Sequence, residues 1–268
     1  MSRIRTLVAG VLAAAAGHAA HRALTASVTS SRWARTNHAG DPVTLLEGPA
    51  YVTGAAVGAA AGGPAGVVAA LGSGAFGALD DLAGDGSSKG LKGHLGAAVR
   101  GDVTTGVVKV VGIGATGLVA AALADRRRDD VRPFDTLVGG AVVAGAANLA
   151  NLLDLRPGRA LKATVLCALP LLLGAGPGAP PAAAAAGAAL GVLRPDLAGT
   201  AMLGDTGANA AGALVGTALL EATGRRGRLA ALLVIGGLTL ASERVSFTRV
   251  IESTPVLREL DAWGRPAR

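Results

Sequence analysis

The stretch that decides the fold is residues 49–85, "PAYVTGAAVGAAAGGPAGVVAALGSGAFGALDDLAGD". From Pro49 to Leu79 it carries no charge, and then it ends on two adjacent acids, Asp80 and Asp81. Gly62-Gly63-Pro64 breaks the run with turn chemistry, so it reads as two apolar helices. A soluble helix needs a polar face, and neither half has one. The acid pair is the anomaly. It falls at a helix C-terminus, the end whose partial charge repels anions.

The same pattern extends along the chain. Of 268 residues, 51% are hydrophobic and 16% charged, against about 25% charged in a soluble domain. Mean hydropathy is +0.49, and the charges fall in clumps between long uncharged runs. Nine apolar segments are expected, near 6–24, 47–62, 64–80, 103–124, 135–153, 160–175, 179–193, 207–223 and 228–246. A span needs about 20 residues, with about 17 as a floor, so the second, third and seventh are short. The predicted fold is an all-α, polytopic integral membrane protein with about nine transmembrane helices. Gly and Ala recur three or four residues apart, as in helices that approach closely in lipid. No repeat or polar linker divides the chain. It reads as a helical membrane domain over 1–246 with active-site loops, then a cytoplasmic tail over 247–268. The N-terminus lacks the arrangement of a cleaved signal peptide, so the first apolar run is expected to be retained.

The net charge of +7 fits basic loops beside anionic headgroups. With 2% aromatic residues there is no base-stacking surface, and nucleic acid is excluded as a partner. Cys167 stands alone in an apolar run, which excludes a disulfide within the chain and a thiolate metal site. No phosphate-binding Gly loop, zinc-binding His pair or serine elbow occurs. His18 and His21 lack a third ligand and read as packing. The polar segment from Asn37 to Thr44 reads as a basic loop, open to donor contact.

With nine spans, alternate connectors share a side. One side collects sixteen of the 25 Lys and Arg residues and is therefore expected to be cytoplasmic. Arg126-Arg127-Arg128 and Arg225-Arg226-Gly227-Arg228 fall on the other side, and the triple Arg run with Asp129-Asp130 reads as a solvated turn.

The unusual polar residues gather on the basic side: Asp80-Asp81, the run Asn148, Asn151 and Asp154, and Asp205 in "MLGDTGA". Asn148, Asn151 and Asp154 are spaced i, i+3, i+6 along one helix face. Such groups inside an apolar helix must face protein or water. Clustered carboxylates in a partly dehydrated site call for a divalent cation or raised pKa values. Mg²⁺ takes one or two carboxylates plus phosphate oxygens. Lys89, Lys92 and His94 follow the acid pair in "SSKGLKGHLGA" and are candidate phosphate holders.

"ALDD", "NLANLLD" and "MLGDTGA", in this order, resemble the polyprenyl-phosphate N-acetylhexosamine-1-phosphate transferases. The resemblance runs from about Asn37 to Phe247. It implies a multi-pass cell-membrane enzyme with its active site facing the cytoplasm. Such an enzyme moves a sugar-1-phosphate from a UDP-sugar to a polyprenyl phosphate, with Mg²⁺, and releases UMP. Carried across, Asp80 and Asp81 match the catalytic acid pair. Asn151 and Asp154 match the element near the nucleotide, with Asn148 beside them, and Asp205 matches the metal ligand. The chain departs from the family where Leu155-Arg156-Pro157-Gly158-Arg159-Ala160 replaces a run carrying a second acid, where Met202 replaces an aromatic, and where a His-rich loop is absent. A second functional class is a non-catalytic paralogue that binds polyprenyl phosphate or scaffolds cell-envelope partners. The sequence leaves a homodimer open.

Overall fold

Each of the nine apolar segments folds as a helix. The computed structural model describes residues 3–37, 40–83, 104–126 and 128–266. Among them the helices are α1 (Arg3–Ser27), α2 (Glu47–Ala59), α3 (Pro64–Ala83), α4 (Thr105–Asp125), α5 (Pro133–Leu153), α6 (Arg159–Leu173), α7 (Ala179–Leu197), α8 (Gly204–Ala222) and α9 (Arg225–Ser242). Two short helices follow, α10 (Phe247–Ser253) and α11 (Pro255–Ala262). Lys89, Lys92 and His94 lie outside the described residues.

Four of these helices, α1, α3, α4 and α5, are long and apolar enough to cross a membrane; α9 and α10 taken together make a fifth. The nine spans expected from sequence are thus met as nine helices, but by length and apolarity only four or five qualify. At 1.5 Å per residue the 13-residue α2 covers about 20 Å, short of a hydrocarbon core of about 30 Å. The 15-residue α6 is also short. Helices α7 and α8 have 19 residues each but are dominated by Ala and Gly, whose small side chains offer little apolar surface.

The packing is the reverse of a soluble core. The interior is mostly Ala, with a few Leu, Val and Tyr51, while large aliphatic side chains such as Leu7, Val111, Leu137, Leu173 and Leu233 point outward. Without a hydrophobic force between helices in lipid, close approach of small residues drives association. Helix α8 is the axis, touching every helix from α2 to α7, and its residues are almost all buried. Helices α1, α2 and α7 form one flank and α3, α4 and α5 the other.

The all-α expectation is amended at one place. The segment expected as a loop forms a hairpin of β1 (Ala34–Thr36) and β2 (Pro42–Thr44), with Arg35 opposite Val43. Thr44 extends it onto the loop before α8: Met202 N donates to Thr44 O at 3.0 Å.

The ends of the bundle differ. At one end, ion pairs fasten the turns: Arg228 makes a buried pair with Asp125 (2.6 Å), and Arg225 pairs with Asp135 (2.8 Å). Arg128 donates to Thr223 O at 2.9 Å. The triple Arg run expected as a solvated turn is therefore partly structural, through Arg128. The described parts of the connectors sorted to the basic side, in the hairpin, the turn at 154–157 and the loop before α8, meet at the other end.

A Cβ at Gly54 in α2 would lie 2.5 Å from Ala13 O and 2.9 Å from Gly17 Cα of α1, whereas one at Gly236 in α9 meets nothing within 4 Å. Gly54→Val is expected to destabilise the protein by about 1–3 kcal/mol, with Gly236→Ala close to neutral. Melting temperatures in detergent check this; equal melting of the two variants contradicts the packing.

Candidate functional site

The site is assembled where α3 ends and α8 begins. Gly204 adopts φ +59°, a left-handed conformation in which Gly is unstrained. A Cβ there would also lie 2.9 Å from Asp81 Oδ2. The sharp turn leaves the first amides of α8 facing α3. Asp81 accepts from Asp205 N (3.1 Å), Thr206 N (2.8 Å) and Thr206 Oγ1 (2.6 Å). A carboxylate here satisfies orphan amides and complements the positive end of the helix. The α3 backbone approaches closely at Gly77, where a Cβ would run into Asp205 O.

Asp80, one residue earlier, projects toward α4. Lys109 Nζ sits 3.3 Å from Asp80 Oδ2 and also bonds to Asp205 Oδ2. Thr105, in the same helix, bonds to the Asp80 carboxylate. Asn209 Nδ2 donates to Asp205 O at 2.7 Å, holding the first turn of α8. Arg35, on β1, donates to Asp81 O and closes the hairpin over the end of α3. The cluster therefore joins α3, α4, α8 and the hairpin.

Beside it opens a cleft of about 340 Å³. Its walls are the hairpin, the α5–α6 turn (residues 154–157), the end of α7 and Arg265 near the C-terminus. Asp154 and Asp196 line it. Asp154 is 6% exposed, lies near the Gly204 amide and keeps Oδ2 without a hydrogen-bond partner among the described residues. Asp196 lies near the Gly158 amide. Glu47, fully buried at the start of α2, has both carboxyl oxygens unpartnered among the described residues and lies close enough to Asp154 and Asp196 to feel their charge.

The sequence candidates divide accordingly. Asp80, Asp81 and Asp205 meet in one cluster, and Asp154 reaches it through Gly204. Asn148 turns instead to α9, with Nδ2 3.5 Å from Thr239 Oγ1. Asn151 offers its carbonyl to Asp154 N at 3.1 Å. The sequence reading missed Lys109, Asp196 and Glu47. The signal for Lys109 was present: between Thr105 and Ala124 it is the sole charge in the apolar run, and a charge so placed marks function by default.

The resemblance implies Mg²⁺. Among the described residues no three acidic, His or Cys side chains form a ready ligand set. Asp80 and Asp205 do share a single cation, the Lys109 ammonium. Two carboxylates are what Mg²⁺ takes alongside phosphate oxygens, so the donor set fits. No protein-family model matches the chain, and no curated protein matches it.

Asp154 lies in the turn after α5. Burial pushes its carboxyl well above the ordinary range, and the charges of Asp196, Asp205 and Asp81 add to that, opposed by the Gly204 amide. An acid with a raised folded-state pKa loses stability as pH climbs from its unfolded value, about 3.9, toward the folded one. Asp154→Asn keeps the size of the side chain and removes the charge. Its melting temperature is expected to exceed wild type at pH 8, with the gap closing toward pH 4. A gap that ignores pH contradicts the burial argument.

Proposed function

We propose that the chain transfers a sugar-1-phosphate from a UDP-sugar to a polyprenyl phosphate at the cytoplasmic face of the cell membrane. The observation that carries this reading is the convergence of Asp80 and Asp205 on one cation, Lys109, with Asp81 holding the start of α8. The helices long enough to cross a membrane suit a lipid acceptor. The excess of Lys and Arg on the site's side of the nine-helix arrangement favours the cytoplasm.

In the reaction, an oxygen of the lipid phosphate bonds to the sugar-linked phosphorus. The bond from that phosphorus to the bridging oxygen breaks, and UMP leaves with the electron pair. Asp80 and Asp205 would hold Mg²⁺, whose charge offsets that of the diphosphate and of the departing UMP. Lys109 presents an ammonium to the same phosphates. Asp81 is committed to three donors of α8 and acts by positioning Asp205. Asp154 and Asp196 give the adjoining cleft acceptors for N–H groups of the donor.

UMP release from a panel of UDP-sugars, with polyprenyl phosphate and Mg²⁺, tests the proposal. Asp205→Asn and Asp80→Asn are each expected to lower kcat by more than tenfold, about 1.4 kcal/mol in barrier. Lys109→Met is expected to raise KM for the donor. Wild-type protein that binds polyprenyl phosphate but releases no UMP from any donor replaces this proposal with the non-catalytic one.

A further inference from the structure

At the end of α9 the chain turns by 93° into α10. Helix α9 presents Leu233 and Leu240 outward, Leu233 at 76% exposure. On a helix of this bundle such side chains face lipid. Val245 and Val250, between α9 and α11, are exposed as well. In α11 and just after it, Val256, Leu260 and Trp263 recur at i, i+4, i+7, which places them in one stripe. Val256 is 66% and Trp263 73% exposed.

This segment is fastened by its other face. Arg159 donates to both Asp261 carboxylate oxygens, at 2.7 and 3.0 Å, and Arg265 pairs with Asp261 at 2.9 Å. Burial alone would raise the Asp261 carboxyl, but its bonds to Arg159 and Arg265 outweigh that and hold it below the ordinary range. Lys162 donates to the carbonyls of Leu260, Asp261 and Trp263, and Arg156 pairs with Glu252 at 3.0 Å. The stripe is thus held outward by a clamp on the opposite side.

We propose that α10–α11 is an interfacial foot. It lies in the plane of the bilayer, with its apolar stripe at the boundary of headgroups and acyl chains, and it sets the depth of the cleft wall built by Arg265. Three observations favour a lipid surface as the occupant. The stripe and the outer side chains of α9 are both apolar and exposed. The 93° turn takes α10 out of the direction of α9, so on this proposal α9 alone enters the bilayer and the pair is not one bent span. Arg244, Arg249 and Arg258 are exposed along this segment, suiting anionic headgroups. Trp is also the side chain enriched at that depth. The proposal rests on membrane embedding and is independent of the transferase reading.

Trp33→Phe leaves Trp263 as the only tryptophan. The variant is placed in nanodiscs of phosphatidylcholine and phosphatidylglycerol, brominated either high or low on the acyl chains. Trp263 emission is expected to be blue-shifted and quenched more by the high bromines than by the low ones. Val256→Ser with Leu260→Ser, which leaves the Arg159 clamp intact, is expected to abolish that quenching. A control carries Trp33→Phe, Trp263→Phe and Leu233→Trp. If the control is quenched and Trp263 is not, the foot is overturned while membrane embedding stands. If neither is quenched, embedding falls with it. Blue-shifted Trp263 emission that is already present in detergent and insensitive to bromine means that a second copy or another protein covers the stripe, which also overturns the proposal.

Discussion

The site depends on one carboxylate that closes the gap between two helices. Asp81 stands at the end of α3, where the helix dipole disfavours it. Its side chain reaches the beginning of α8, where the dipole and three donors favour it. Bonds to a charged group are each worth about 1.5–3 kcal/mol, so the pairing outweighs the unfavourable end it leaves. That resolves why an uncharged run ends in acid: the acid is the lock between α3 and α8. Once it is closed, Asp205 stands beside Asp80, and two carboxylates so placed repel unless a cation lies between them. Lys109 is that cation in the structure.

The lock works because the helices come close, and they do so through small residues. The interior carries Ala where a soluble core would carry Leu. Such a core has little shape of its own, so polar fastenings at the two ends acquire weight in setting register. At the site end these are Asp81, the hairpin and the Arg159 clamp. At the other end they are the Arg228–Asp125 and Arg225–Asp135 pairs. This also accounts for the arginines that blurred the charge asymmetry: Arg128, Arg225 and Arg228 are employed in contacts between turns.

Segment by segment, the helices were legible because an apolar run without charge has one stable backbone solution in lipid. Whether each helix crosses was not legible, since Ala and Gly contribute to a hydrophobic count without contributing much apolar area. Asp80, Asp81 and Asp205 were legible as charges in the wrong surroundings. The hairpin was not, because its strands are three residues long and its pairing with Thr200 and Met202 is distant in sequence. Asn148 shows the limit of periodicity: it shares a helix face with Asp154 only loosely, and the drift of that face turns it to Thr239 of α9.

The turn Leu155-Arg156-Pro157-Gly158-Arg159, where the chain departs from the resemblance, has a structural role of its own. Arg156 and Arg159 hold Glu252 and Asp261, so this turn has become the socket for the C-terminal helices. Asp196, from α7, stands in the cleft wall with Asp154 and feels the charge of Arg265 and Lys162 from the clamp. Two acids distant in sequence thus meet in one wall. A motif read along the chain counts residues, whereas a cleft counts only what reaches its wall.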